Sequence, residues 1–292
     1  MGNHFIYTFT YCNYLIFYAW FISFFMRFKI TLQLSDPRKN ILPINYQYEL
    51  SAWIYHTIET ADPAFSMWLH EKGYSSGAQR FKFFTFSNLL FTPKGYKVEG
   101  DRLRILVSPC ELIISFLIDE AAMPFITGIF RSQVFSIGDF KSSVGFIVSS
   151  VERLPDPVFT DAMTFKTLSP IIIGKSRLAE GGKGTEYLNP AHTDYGNLFF
   201  QNLQRKVEIY KLQKSKINIL PQPGTCHLEL SSEPRSKIIL IKNGQREATH
   251  LRGFIYEFKI SAPAECIRVG YYAGFGEKNS LGFGCVEVIR QQ

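Results

Sequence analysis

Five of the chain's 21 glycines fall in 270-GYYAGFGEKNSLGFGCVEV-288: Gly270, Gly274, Gly276, Gly282 and Gly284. A loop this dense in glycine lets backbone N–H groups come close to phosphate oxygens. Lys278 within it is placed to neutralise a phosphate, and Asn279 to brace the turn. No Gly-Lys-Ser/Thr follows at Walker A spacing. A dinucleotide fingerprint is excluded too, because the strand comes after the glycines rather than before them. Tight turns and sheet curvature also call for glycine, so a purely structural reading stands beside the phosphate one. A second feature points the same way. Residues 201–260 hold eleven Lys/Arg (Arg205, Lys206, Lys211, Lys214, Lys216, Arg235, Lys237, Lys242, Arg246, Arg252, Lys259) against five Glu, which is six of the chain's seven net positive charges. That concentration suits a surface tracking a polyanion, although a solvated Lys-rich face has the same composition.

The elements that must hold these residues read as α+β. Arg27–Ser35 alternates as a strand. Asn45 is a candidate N-cap for a helix with Leu50, Trp53, Ile54 and Ile58 on one stripe. Asp62-Pro63 supplies a cap and a first-turn proline for a second, short helix with Phe65, Trp68 and Leu69 inward, ending at Gly73. Phe81–Phe91 reads as a strand, 95–107 as a hairpin about Gly100-Asp101, Cys110–Met123 as a helix and Gln133–Val151 as strand. A weaker repeat of this order follows Pro155-Asp156-Pro157. Met163–Lys175 is a strand and Leu198–Leu212 a helix. Cys226–Leu230, Lys237–Ile241 and Phe254–Ile260 are strands, Ala264–Tyr272 a helix and Cys285–Ile289 a closing strand; Ala179–Gly184 reads as a loop. Two ferredoxin-like βαββαβ units result, divided as 26–155 and 156–292.

Composition bounds the rest. With 292 residues, 46% hydrophobic and 20% charged, the chain can build sizeable cores. Five scattered cysteines without a CxxC pair read as thiols in a reducing compartment. Phe5–Phe25 carries no charge and is long enough to span a bilayer. It lacks a basic n-region and a cleavage site, and a strand begins at Met26 with no linker. Residues 1–25 are therefore expected to be a non-native extension from a misplaced start, with a membrane anchor as the alternative.

The string GFGEKNSLGFG before a final strand resembles the C-terminal signature of the CRISPR repeat-processing endoribonucleases of the RAMP superfamily. So do 165-FKTLSPIII-173, 26-MRFKITLQL-34 with 43-PINYQYELSAWIYHTI-58, and 69-LHEKGYSSGAQRFKFFTFSNLLF-91. The glycine string alone marks the superfamily; the N-terminal segments narrow it to the nuclease. The resemblance implies two ferredoxin-like domains, a cytoplasmic enzyme without metal or small-molecule cofactor, and CRISPR repeat RNA as substrate. It also raises association with a CRISPR effector complex. RNA carries its own nucleophile, the 2′-OH, so cleavage needs a proton acceptor, a donor for the leaving 5′-oxygen and a counter-charge for the phosphorus. A 2′,3′-cyclic phosphate and a 5′-OH would result.

The same resemblance implies Tyr55, His70 and Lys82 as catalytic residues. A phenol, with an ordinary pKa of ~10, suits positioning or hydrogen-bond donation better than base catalysis. An imidazole at a helix C-terminus suits proton transfer, with neighbouring His56 as competitor. Lys82 would face the scissile phosphate, but 74-YSSGAQRF-81 looks inserted ahead of it, so Arg80 and Lys72 compete for that role. Gly274, Gly276, Lys278, Asn279, Gly282 and Gly284 are the expected RNA-binding residues. A non-catalytic RAMP subunit that holds guide RNA is the alternative function, and a membrane-tethered binder of an acidic partner a third.

Overall fold

The computed structural model describes residues 25–76, 79–179, 182–213, 226–241 and 248–289. The expectations for residues 1–24 lie outside these; Phe25 stacks on Tyr272 at 5.0 Å between ring centroids. Among the described residues no helix is long and apolar enough to cross a membrane.

The first half builds on β1 (Met26–Leu34), whose alternate residues Phe28, Ile30 and Leu32 are buried. Helix α1 (Gln47–Ala61) and α2 (Pro63–Glu71) follow. Then come β2 (Phe84–Phe86), β3 (Cys110–Phe116), α3 (Asp119–Arg131), β4 (Val134–Gly138) and β5 (Ser143–Arg153). The strands form one sheet in the order β2-β3-β1-β5-β4, with antiparallel neighbours. Without the edge strand β4 this is the ferredoxin-like arrangement. Helix α3 crosses α1 closely: a Cβ on Gly128 would lie 1.9 Å from the Thr57 carbonyl oxygen. Trp53 stacks on Phe135 at 4.0 Å and meets Phe125 edge-on.

The second half repeats the plan. Strand β6 (Ala162–Thr167), α4 (Tyr195–Gln213), β7 (His227–Leu230), β8 (Glu257–Ser261), α5 (Ala264–Ala273) and β9 (Val286–Val288) give a sheet ordered β7-β8-β6-β9. Phe165, Phe199, Phe258 and Phe275 interlock beneath the helices, with Phe199 stacked on Phe275 at 5.4 Å. Hairpins at Tyr96–Glu99/Arg102–Ile105, Gly174–Ala179/Gly182–Tyr187 and Arg235–Ile241/Thr249–Ile255 stand outside the two sheets.

Several expectations are corrected. Cys110–Met123 is not one helix but the end-to-end succession of β3 and the start of α3. A short apolar run satisfies either period. Phe81–Phe91 narrows to β2, because Gln79–Phe81 turns back to pair with Tyr74–Ser76 and Phe83 takes φ 53°. The segment that looked inserted is therefore a small hairpin. Ala179–Gly184 contributes strand ends rather than only a loop, with 180–181 outside the described residues. Phe254–Ile260 divides at Tyr256 between two sheets. Tyr46, not Asn45, occupies the N-cap of α1 and makes no side-chain capping bond.

The α2 cap is as read: the Asp62 carboxylate accepts from the Phe65 N–H at 2.9 Å, with Pro63 in the first turn. Replacing Asp62 with alanine should cost about 1 kcal/mol of stability in urea unfolding, and the helix it frays carries His70.

Candidate active site at the domain junction

The two halves meet through buried polar contacts. Arg27 in β1, only 2% exposed, donates to the Ser115 hydroxyl at 2.9 Å and to the Val286 carbonyl at 2.6 Å, and lies 4.4 Å from the Tyr271 ring centroid. The Thr85 hydroxyl in β2 donates to the Phe283 carbonyl at 2.8 Å. The Ser51 hydroxyl in α1 donates to the Ser280 carbonyl at 2.7 Å. The glycine-rich segment therefore closes onto the first half.

That closure explains the glycines. Gly274, Gly276, Gly282 and Gly284 all have φ between 68° and 87° and all are buried. A side chain on Gly284 would meet the Phe275 carbonyl at 1.9 Å, and one on Gly282 would meet the Phe86 ring at 2.5 Å. The missing side chains thus leave room for protein backbone and rings packed against the loop. Within the loop, Lys278 is the exposed residue, held at φ 57°. Asn279 is the brace: its amide donates to the Phe275 and Phe283 carbonyls at 3.0 Å each.

The basic stretch is corrected in the same way. Lys206, expected on a surface, is 1% exposed. Its ammonium donates to the carbonyls of Gly274 and Gly276 at 2.6 Å each and to Asn279 Oδ1 at 2.7 Å. Burial pulls its pKa down to about 7, opposed by nearby Glu277. Lys211 pairs with Glu265 at 3.3 Å. Lys237 lines a separate groove with Tyr96 and Ile238. Lys214, Lys216, Lys242 and Arg246 lie outside the described residues.

What remains is a cleft of about 400 Å³ between the halves, lined by Arg80, Lys82, Arg205, Lys206 and Lys278 against one acid, Glu277. Phe81, Asn202 and Ser280 complete much of its wall. Tyr55, half-buried on α1, and His70, exposed at the end of α2, stand beside it with ring centroids 5.2 Å apart and edge-on. Burial pushes the Tyr55 phenol up to about 12, opposed by nearby Ser280. Lys82 donates to the His70 carbonyl at 2.6 Å and also to the Leu69 carbonyl, at the C-terminus of α2. Burial, with Arg80 alongside, lowers it to about 8. Arg80 donates to the Glu71 carbonyl at 3.1 Å. Lys72 caps α2 and is exposed. His56 faces Glu59 at 3.4 Å and lines a different groove, with Trp53 and Phe135. Arg205, Lys206, Glu277 and Ser280 were not singled out for the cleft from sequence; only the excess of charge in 201–260 hinted at the first two.

Two ferredoxin-like domains with a basic cleft at their junction, closed by a glycine loop, define a tandem RAMP-type protein. Residues 154–288 match the family described as CRISPR associated protein Cas6, C-terminal, and residues 41–152 match CRISPR-associated protein Cas6, N-terminal. The chain belongs to the Cas6 family. It is 31% identical over 258 residues to CRISPR-associated endoribonuclease Cas6 1 of Methanocaldococcus jannaschii, covering 88% of this chain and 91% of that protein. It is 30% identical over 267 residues to CRISPR-associated endoribonuclease Cas6 of Pyrococcus furiosus, covering 90% of each. The structure of a Cas6-related protein from Pyrococcus furiosus superposes with a TM-score of 0.76 at 25% identity, over 92% of this chain and all of that one.

Proposed function

We propose that the chain is an endoribonuclease that cuts CRISPR repeat RNA at the junction cleft, without metal, by attack of the RNA's own 2′-OH. The observation that carries this reading is the cleft, where Arg80, Lys82, Arg205 and Lys278 converge beside the Tyr55–His70 pair. The 2′-oxygen bonds to phosphorus, its proton passes to water, and the P–O5′ bond breaks. His70, as imidazolium, gives its proton to the departing 5′-oxygen. Tyr55 stays protonated at every pH of interest, so it acts as a donor that holds the reacting group and not as a base. The surrounding cations offset charge at phosphorus. A cytoplasmic site of action and passage of the guide RNA to an effector complex belong to the same reading.

The test is labelled repeat RNA incubated with the protein in EDTA, followed by analysis of the new 3′ ends. Cyclic phosphate ends produced in EDTA support the mechanism. Cutting that stops in EDTA and returns with Mg²⁺, leaving 3′-OH ends, would overturn it. One observation favours a second reading, a subunit that holds RNA without cutting: Lys82 is engaged by the α2 carbonyls instead of projecting freely into the cleft. Tight binding without cutting would decide for it.

Lys82 also makes the reaction pH-dependent. Its ammonium is the useful form, and its pKa is lowered to about 8. Loss of this ammonium should add a fall in rate as pH rises through about 8, and Lys82→Arg should remove that added step while leaving any fall that comes from the general acid. Stability through this group runs the other way. A lowered folded-state pKa means that the unfolded chain binds more protons between about 8 and the ordinary value of 10.5. The group's contribution to stability thus rises with pH over that window.

A further inference from the structure

Gln47, Ser51 and Tyr55 follow one another at four-residue spacing along one face of α1. Tyr55 stands beside the junction cleft, and the Ser51 hydroxyl donates to the Ser280 carbonyl of the glycine loop at 2.7 Å. Gln47 lines a second space between the halves, a groove of about 290 Å³. The first half supplies Gln47, Asn88 and Tyr96 to it, the second Pro170, Lys237 and Ile238. Three observations give this groove the chemistry of a ligand site. Gln47 is 5% exposed; its Nε2 donates to Asn88 Oδ1 at 3.3 Å, while its Oε1 is buried without a partner. A buried acceptor left without a donor is costly to keep. Tyr96 packs on Phe91 at 5.0 Å between ring centroids yet stays 46% exposed, and Ile238 is 54% exposed. Lys237 is the one charged residue in the lining; it is exposed and, among the described residues, pairs with no acid.

We propose that this groove takes one nucleobase of the same RNA that is cut at the junction cleft. The inference rests on repeat RNA being the substrate. An exposed aromatic ring offers a base its face. The unpartnered Oε1 accepts an N–H from the base edge, and the Lys237 ammonium meets the adjoining phosphate. The position of the groove fixes which bases can reach it. Eight residues of helix separate Gln47 from Tyr55, about 12 Å along α1. That is roughly two to four nucleotides of single strand, depending on how far the bases are stacked. The face of α1 that carries Tyr55 to the reaction thus carries a base reader two turns away.

The test measures the affinity of the wild type, Tyr96→Ala, Gln47→Met and Lys237→Ala for 2′-deoxy repeats that each lack the base at one nucleotide, with the cut mapped on the ribose form. With the wild type, one abasic position roughly two to four nucleotides from the cut should weaken binding about tenfold, the loss of one stacked base. Tyr96→Ala should weaken binding of the full repeat by a similar factor, and the same abasic change should then cost nothing more. Gln47→Met should lose affinity without lowering the urea midpoint; a lower midpoint with wild-type affinity would make Gln47 a structural residue and overturn its role. Lys237→Ala should reduce the slope of log affinity against log salt by about one. Wild-type affinity in Tyr96→Ala, or a full additional loss at every abasic position in that variant, overturns the proposal. If the wild type binds the repeat and does not cut it, the nuclease reading fails while the same comparison still decides the base site. No binding of the repeat overturns both.

Discussion

Replacing His70 with alanine should lower the rate of repeat-RNA cleavage by ~10²–10⁴-fold, the range for loss of a positioned general acid. Affinity for a 2′-deoxy repeat, which lacks the proposed nucleophile, should stay as in the wild type. The expectation is asymmetric because of where the side chain sits. His70 is exposed on the last turn of α2, and its ring packs edge-on against Tyr55 without filling the core. Its backbone carbonyl, which receives Lys82, survives the substitution. The cleft cations proposed to meet the phosphates are untouched. A His56→Ala control should cut normally, since His56 lines another groove beside Glu59. Single-turnover cleavage in EDTA is the measurement; full activity in His70→Ala would sink the assignment.

The largest effect on stability is expected at Lys206. Lys206→Met keeps the length of the side chain and removes every donor. The Gly274 and Gly276 carbonyls and Asn279 Oδ1 then lose a buried partner together. Stranding each acceptor costs roughly 1–3 kcal/mol, partly offset because no ammonium need be desolvated. A net loss on the order of 3–5 kcal/mol is expected, a large share of the roughly 5–15 kcal/mol typical of a folded protein. It would appear as a lower urea midpoint with an unchanged slope. The gap should widen with pH. The folded-state pKa of Lys206 is lowered to about 7 from 10.5, so between these values the unfolded wild type binds more protons and wild-type stability rises. The methionine variant lacks that contribution. A variant as stable as the wild type would mean that the loop finds other donors.

The contrast between these two residues shows what a sequence can convey. Local signals carried well. The alternation of β1, the Asp62-Pro63 start of α2 and the Gly100-Asp101 turn each depend on neighbours within a few residues. The βαββαβ plan was legible in both halves, although in the first the central strand β3 lay hidden inside Cys110–Met123, read as helix. Partnerships across long separations did not carry. Lys206 counted as one more surface charge, because its acceptors lie about 70 residues onward. That Gly282 must leave room for the Phe86 ring was not legible, because Phe86 belongs to the other half of the chain. Ser280 offered no signal at all, since a serine in a glycine-rich loop is ordinary until α1 is seen beside it.

The docking of the glycine loop onto α1 and β2 also sets a temporal order. Domains fold as they emerge during synthesis, the N-terminal one first. A growing chain can therefore complete the sheet around β1, with Tyr55, His70 and Lys82 already in place, long before Lys278 and Ser280 exist. Such a chain still lacks the cations that α4 and the closing loop bring to the cleft, Arg205 and Lys278 among them, so the cleft is completed only when the last segment synthesised docks on the first half.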